Sequence, residues 1–251
     1  MNKLKALLVS LIVLATIFVN YLSNALPING QNTVVISDRY FTFFTPAGFT
    51  FAIWGVIYVG LITYAIYHWL NLKNKKQEWL EKAVPWFVLA NVANMLWLIT
   101  WHYEQLGLSV LVMLVILGSL IKTYLLVNDK KVPNTQAIKL MVQTPISIYL
   151  GWISVATIAN IASTLTQAKF SGFGIDPQLW SVALIAVATL LGITMLARRG
   201  DVAYVAVLIW ATYGISRNFV EKSPLVSMTA TAAAVLLGVM VLALSLRKRV
   251  K

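Results

Sequence analysis

Cysteine is absent from the 251 residues, and acidic residues number only 8 against 20 basic ones. Without thiolates the chain can form no disulfide, thiolate zinc site, iron–sulfur cluster or cysteine nucleophile. Charge is also scarce: 11% of the residues are Asp, Glu, Lys or Arg and 59% are hydrophobic, whereas soluble domains carry about 25% charged residues. So much apolar surface cannot be packed inside one globule of ordinary size, which points to a polytopic membrane protein. The net charge of +12 is split into short clusters between apolar runs. That is the pattern of orientation signals rather than of a basic face for nucleic acid, so no nucleic-acid partner is expected.

Chemistry that needs ionised groups is missing as well. The carboxylates Asp38, Glu78, Glu81, Glu104, Asp129, Asp176, Asp201 and Glu221 all fall in loops or at span ends, and His68 and His102 read as interfacial anchors rather than haem ligands. Lys122 is the deepest charge and can snorkel inward from the last turns of the fourth span. No carboxylate pair, histidine cluster, phosphate loop or nucleophile–base pair is present, so no catalytic residue and no metal site is expected.

What the sequence does contain is long apolar runs. A membrane helix needs about 20 mostly apolar residues, and eight stretches qualify: about 4–26, 48–70, 83–101, 105–127, 139–164, 178–197, 202–219 and 224–246, of which 202–219 is the shortest. Ser223–Pro224 reads as the start of the last helix, and Gly200–Asp201 as the stop of one helix and the cap of the next. With the N-terminus inside, 16 of the 20 basic residues fall inside: Lys3, Lys5, Lys73, Lys75, Lys76, Lys82, Lys122, Lys130, Lys131, Lys139, Arg198, Arg199, Arg247, Lys248, Arg249 and Lys251. Arg39, Lys169, Arg217 and Lys222 fall outside. Both termini are therefore expected in the cytoplasm of a multi-pass plasma-membrane protein. Lys3 and Lys5 before an apolar run, with Ser23-Asn24-Ala25 after it, also fit a cleaved signal peptide, but Leu7 to Leu22 is long for one, so a retained helix is expected. The loop from Pro27 to Ala47 carries the aromatic run Asp38 to Phe44, read as an interfacial belt in preference to a lid over the helix mouths.

Neutral polar and aromatic residues recur at helical spacing inside these spans. Trp54 and Tyr58 share a face of the second span, and Asn94, Trp97 and Trp101 a face of the third. In the fifth, Trp152, Ala156 and Asn160 fall at 0°, 40° and 80° around the helix. A flat ring, a small gap and an amide suit a planar apolar ligand with a polar edge; helix packing with an interhelical amide bond explains the same stripe. Trp210, Gly214 and Asn218 repeat the spacing, as an internal repeat or as a tryptophan-rich packing face.

The segment from Pro46 to about Thr164 resembles the TspO/MBR family, the translocator or tryptophan-rich sensory proteins. Its Phe-x-x-Trp-x-x-x-Tyr pattern is matched by Phe51, Trp54 and Tyr58. Its Asn-x-x-Trp is matched by Asn94 and Trp97, and its Tyr-Leu-x-Trp-x-x-x-Ala-x-x-x-Asn by Tyr149, Leu150, Trp152, Ala156 and Asn160. The resemblance implies an all-α membrane bundle with a TspO-like five-helix core over 1–164 and three additional transmembrane helices over 165–251. It implies a pocket for a tetrapyrrole such as protoporphyrin or haem, or for a sterol, lined by Trp54, Tyr58, Asn94, Trp97, Tyr149, Trp152, Ala156 and Asn160. A porphyrin would then be a ligand rather than a cofactor, and porphyrin degradation rests on family analogy alone. Thr45-Pro46-Ala47-Gly48 departs from the pattern in lacking the tryptophan usual beside the proline. The expected partners are a hydrophobic small molecule, membrane lipids and a second copy of the chain. The expected role is sensory, regulatory or transport; the alternative is a membrane transporter for small molecules or lipids that binds no tetrapyrrole.

Overall fold

Hydrocarbon offers backbone amides no partner, so runs of this length must satisfy their own backbone as helix. The structure, a computed structural model, describes residues 3–26, 28–73 and 77–249, among which there is no strand. The helices in order are α1 Lys3–Ala25, α2 Thr33–Arg39, α3 Ile53–Leu70, α4 Glu78–His102, α5 Leu106–Val127, α6 Gln136–Ile138, α7 Thr144–Gln167, α8 Pro177–Arg199, α9 Val202–Asn218 and α10 Pro224–Arg249. A 3-10 turn, Gly48–Ala52, leads into α3, and a π turn, Lys139–Gln143, joins α6 to α7.

Among the described residues seven stretches are long and apolar enough to cross a membrane: Lys3–Ala25, Gly48–Leu70, Glu78–His102, Leu106–Val127, Gln136–Gln167, Pro177–Arg199 and Pro224–Arg247. The eighth expected span, α9, has 17 residues, roughly 25 Å against a hydrocarbon core of about 30 Å. It nevertheless carries the chain back through the bundle. Ser223, just before α10, hydrogen-bonds Gln178 at the start of α8, so α8 and α10 begin at the same end and α9 runs the opposite way. Val205, Leu208, Ala211 and Ile215 are enclosed as α9 packs against α7, α8 and α10. With protein along most of its surface, α9 has little need to match the bilayer in length.

Hydrogen bonds at the helix ends sort the molecule into two ends. At one, Lys5 pairs with Glu81 at 2.6 Å, Gln77 donates to the Tyr67 hydroxyl, Gln143 donates to the Val127 carbonyl, and Ser147 donates to Asp201. The start of α1, the end of α3, the start of α4, the end of α5, the start of α7 and the α8–α9 link therefore lie together, and they carry the larger basic group. Lys75, Lys76 and Lys251 lie outside the described residues, as do Pro27 and the side chains of Lys248 and Arg249. At the other end, Asn218 donates to the Thr45 carbonyl and Gln167 to the Glu104 carbonyl.

Two local expectations change, and one proline is accommodated. His68 and His102 stand in the last turns of α3 and α4, but as enclosed side chains rather than surface anchors, with each Nδ1 hydrogen-bonded to the carbonyl four residues earlier, Tyr64 and Leu98. The aromatic run folds over the helix mouths: Phe44 is completely buried, and Phe41 and Phe43 pack on Phe219 at ring distances of 5.6 and 5.4 Å. Pro145 does not break its helix. It has no N–H for the preceding turn, and that turn widens to π, leaving one continuous rod from Gln136 to Gln167.

Candidate functional site

Three helices bring their polar and aromatic stripes to one place. Trp54 on α3, Asn94, Trp97 and Trp101 on α4, and Trp152, Ala156 and Asn160 on α7 line a cavity of about 60 Å³. Phe51 and Pro46 close one side, Met113 of α5 another, and Thr33 and Ser37 of α2 the top. The rings brace one another: Phe51 meets Trp152 edge-on at 5.8 Å, and Trp97 stacks on Trp101 at 5.4 Å. Such offset and edge contacts hold large flat side chains in fixed orientations.

Two carboxamides face this hollow, and their hydrogen bonds separate them. Asn160 Oδ1 accepts from Trp97 Nε1 at 2.8 Å, and its Nδ2 donates to Ser109 Oγ at 2.9 Å. It is fully engaged between α4, α5 and α7, the interhelical amide bond that packing requires. Asn94 Oδ1 accepts from Asn20 Nδ2 of α1 at 2.8 Å, but Asn94 Nδ2 has no partner among the described residues although Asn94 is completely buried. An unpaired donor in a dry interior costs about 1–3 kcal/mol, and this one belongs to a residue on the cavity wall.

Six of the eight residues expected at a pocket thus line the cavity. Tyr58 and Tyr149 do not; they stand behind Trp54, Tyr58 stacked on it at 5.8 Å and Tyr149 edge-on at 6.0 Å. The sequence reading missed Asn20, Ser109, Met113, Thr33 and Ser37. An asparagine within the apolar run of α1 is the one usable signal among them, because an amide in hydrocarbon needs a partner.

The roof is α2, a seven-residue helix capped by Asn32, whose side chain accepts from the Val34 and Val35 amides. Trp101 Nε1 donates to the Thr33 carbonyl at 3.3 Å. Glu104, in the tight α4–α5 link, receives Tyr40, Arg39 and Gln31 on its carboxylate, while Gln167 reaches its carbonyl. The hydroxyl of Tyr40 and the amide of Gln31 hold the Glu104 carboxyl below its ordinary range, and Arg39 adds to this. The same bond raises Tyr40. One residue, Glu104, therefore ties the roof to α4 and α5 through its carboxylate and to α7 through its carbonyl.

The wall carrying Pro46 is gripped from α9. Trp210 Nε1 donates to the Thr50 carbonyl at 2.9 Å, the Gly214 carbonyl accepts from the Ala47 amide at 3.0 Å, and Asn218 Nδ2 donates to the Thr45 carbonyl at 2.9 Å. These residues at i, i+4 and i+8 form one stripe. Their stripe faces the strap of chain leading into α3, so the recurrence of tryptophan, small residue and asparagine serves packing. Among the described residues no group of three His, Cys, Asp or Glu could hold a metal.

The chain matches the family described as TSPO-like protein over residues 6–243, a stretch that includes α8, α9 and most of α10. No curated protein and no solved structure matches it.

Proposed function

The chain belongs to the TSPO-like protein family, and from that premise we propose that it binds a flat, largely apolar ligand of the tetrapyrrole or sterol class between α3, α4 and α7. The observation that carries this reading is the Asn94 amide, enclosed, unpaired and set in a wall of tryptophan rings. A ligand with an acceptor on its edge would take that hydrogen bond while stacking on Trp54, Trp97 or Trp152. The hollow of about 60 Å³ is far below the ~300–1,000 Å³ of sites for drug-sized ligands, so binding goes with lifting of α2. Occupancy read out as movement of a roof suits a sensory or regulatory role. The alternative, a transporter of small molecules or lipids, gains nothing from α7, which runs unbroken through the membrane. By the excess of Lys and Arg at one end, that end and both termini lie in the cytoplasm and the protein sits in the plasma membrane.

The test is protoporphyrin IX titrated against tryptophan fluorescence of the detergent-solubilised protein. Saturable quenching is expected for the wild type, weakened about tenfold, or ~1.4 kcal/mol, in Asn94→Leu and in Trp152→Ala. Equal quenching in all three, for the porphyrin and for a sterol competitor, rejects this site.

A further inference from the structure

A second, larger hollow lies outside the chamber. α7 and α8 pack only lightly against each other and leave an apolar groove of about 680 Å³ beside the start of α8. One wall is the α7 face Ile158, Ala162 and Leu165, at spacings of four and three; the other is Trp180 and Leu184 of α8. The stretch from 158 to 166 spans roughly 12 Å at the helical rise. The end wall is built for one ring. Gly172, at φ +63°, accepts Trp180 Nε1 on its carbonyl at 2.9 Å, and a Cβ at 172 would lie 2.9 Å from that nitrogen. No side chain among the described residues fills the space, and Leu165 remains 43% exposed.

The rim is cationic. Lys222 Nζ lies 6.0 Å from the centre of the Phe41 ring, which borders the groove, and also donates to Asn218 Oδ1. Lys169 directly precedes Phe170, another lining residue. Among the described residues neither ammonium has a carboxylate within ion-pair distance. Apolar walls on two membrane-length helices, with Lys222 against a lining ring and Lys169 next in the chain to another, match an amphiphile with a hydrocarbon tail and an anionic head.

We propose that the α7–α8 groove is a binding site for one phospholipid of net negative headgroup, an acyl chain lying against Ile158, Ala162 and Leu165 and the phosphate beside Lys169 and Lys222. It is separate from the Asn94 chamber and does not depend on what that chamber binds.

Native mass spectrometry of the full chain, released from detergent after addition of phosphatidylglycerol or phosphatidylcholine, tests this. One phosphatidylglycerol per chain is expected, held about tenfold more tightly than phosphatidylcholine. Lys169→Gln/Lys222→Gln, both on the surface, is expected to abolish the preference, and Ala162→Trp to abolish retention of either lipid. Equal retention of the two lipids by the wild type overturns the proposal, as does an unchanged preference in the double lysine variant. Displacement of phosphatidylglycerol by equimolar oleate would assign the groove to a single-chain acid and equally reject the phospholipid.

Discussion

Gly214 and Thr50 touch so closely that a methyl group at 214 would lie 2.1 Å from Thr50 Oγ1. The contact joins α9 to the turn that opens α3, and no flexible side-chain end is available to yield. Gly214→Ala is expected to destabilise by about 1–3 kcal/mol, the usual cost of overpacking. Thr50→Ala in the same chain should recover part of the loss by removing Oγ1 and Cγ2. Thermal unfolding of the two single variants and the double reads the coupling; strictly additive losses would show that the strap is not held there.

The two carboxamides of the chamber should respond differently to removal. Asn160→Leu strands Trp97 Nε1, while Ser109 keeps its bond to the Leu106 carbonyl, and should cost about 1–3 kcal/mol of stability. Asn20→Leu strands Asn94 Oδ1, whereas Asn20→Leu combined with Asn94→Leu removes both ends of one bond. Interhelical hydrogen bonds in membranes average only about 0.6 kcal/mol, so the double variant should approach wild-type stability more closely than Asn20→Leu alone. Denaturation in mixed micelles checks the order.

Glu104 makes the roof sensitive to acid. Its folded pKa is depressed by the Tyr40 hydroxyl first and by Gln31 next, so its contribution is complete above the ordinary glutamate value of about 4.3. The contribution is lost as pH falls through the lower, folded value. Amide exchange in α2 should accelerate over that acid window in the wild type. In Glu104→Gln it should be faster at neutral pH and flat across the window.

Sidedness gives a fourth test. Alkaline phosphatase fused after Lys169 should be active outside the cell, and a fluorescent protein fused after Lys251 should fold and fluoresce in the cytoplasm. The reverse pattern would invert the orientation read from the basic residues.

The spans were legible because apolar length is a local property: the runs beginning at 139, 178 and 224 are helices to within a few residues of where they were read. The meeting of Trp54, Asn94 and Trp152 was legible as three faces, since periodicity fixes which side chains share a side. Periodicity does not say whether two facing sides leave space. Asn94 and Asn160 read alike in sequence, and only their partners Asn20 and Ser109, on other helices, make one unpaired and the other fully engaged. The roof escaped notice because α2 is seven residues long and is held by Asn32, Trp101 and Glu104, contacts that no apolar pattern announces. His68 and His102 were read as exposed anchors for a similar reason: a ring nitrogen bonded to the preceding turn's carbonyl makes a histidine acceptable among packed helices.

The reach of Trp210 back to Thr50, across 160 residues, also orders events during synthesis. At about 5–20 residues per second, the ribosome needs on the order of ten seconds to get from one to the other. Once α7 has been made, and until α9 follows, the early helices sit in the bilayer with the edge of their hollow unfastened. A nascent chain halted before residue 202 would present that loose edge to lipid and to any insertion chaperone nearby, so completion of the chamber waits for the last quarter of the polypeptide.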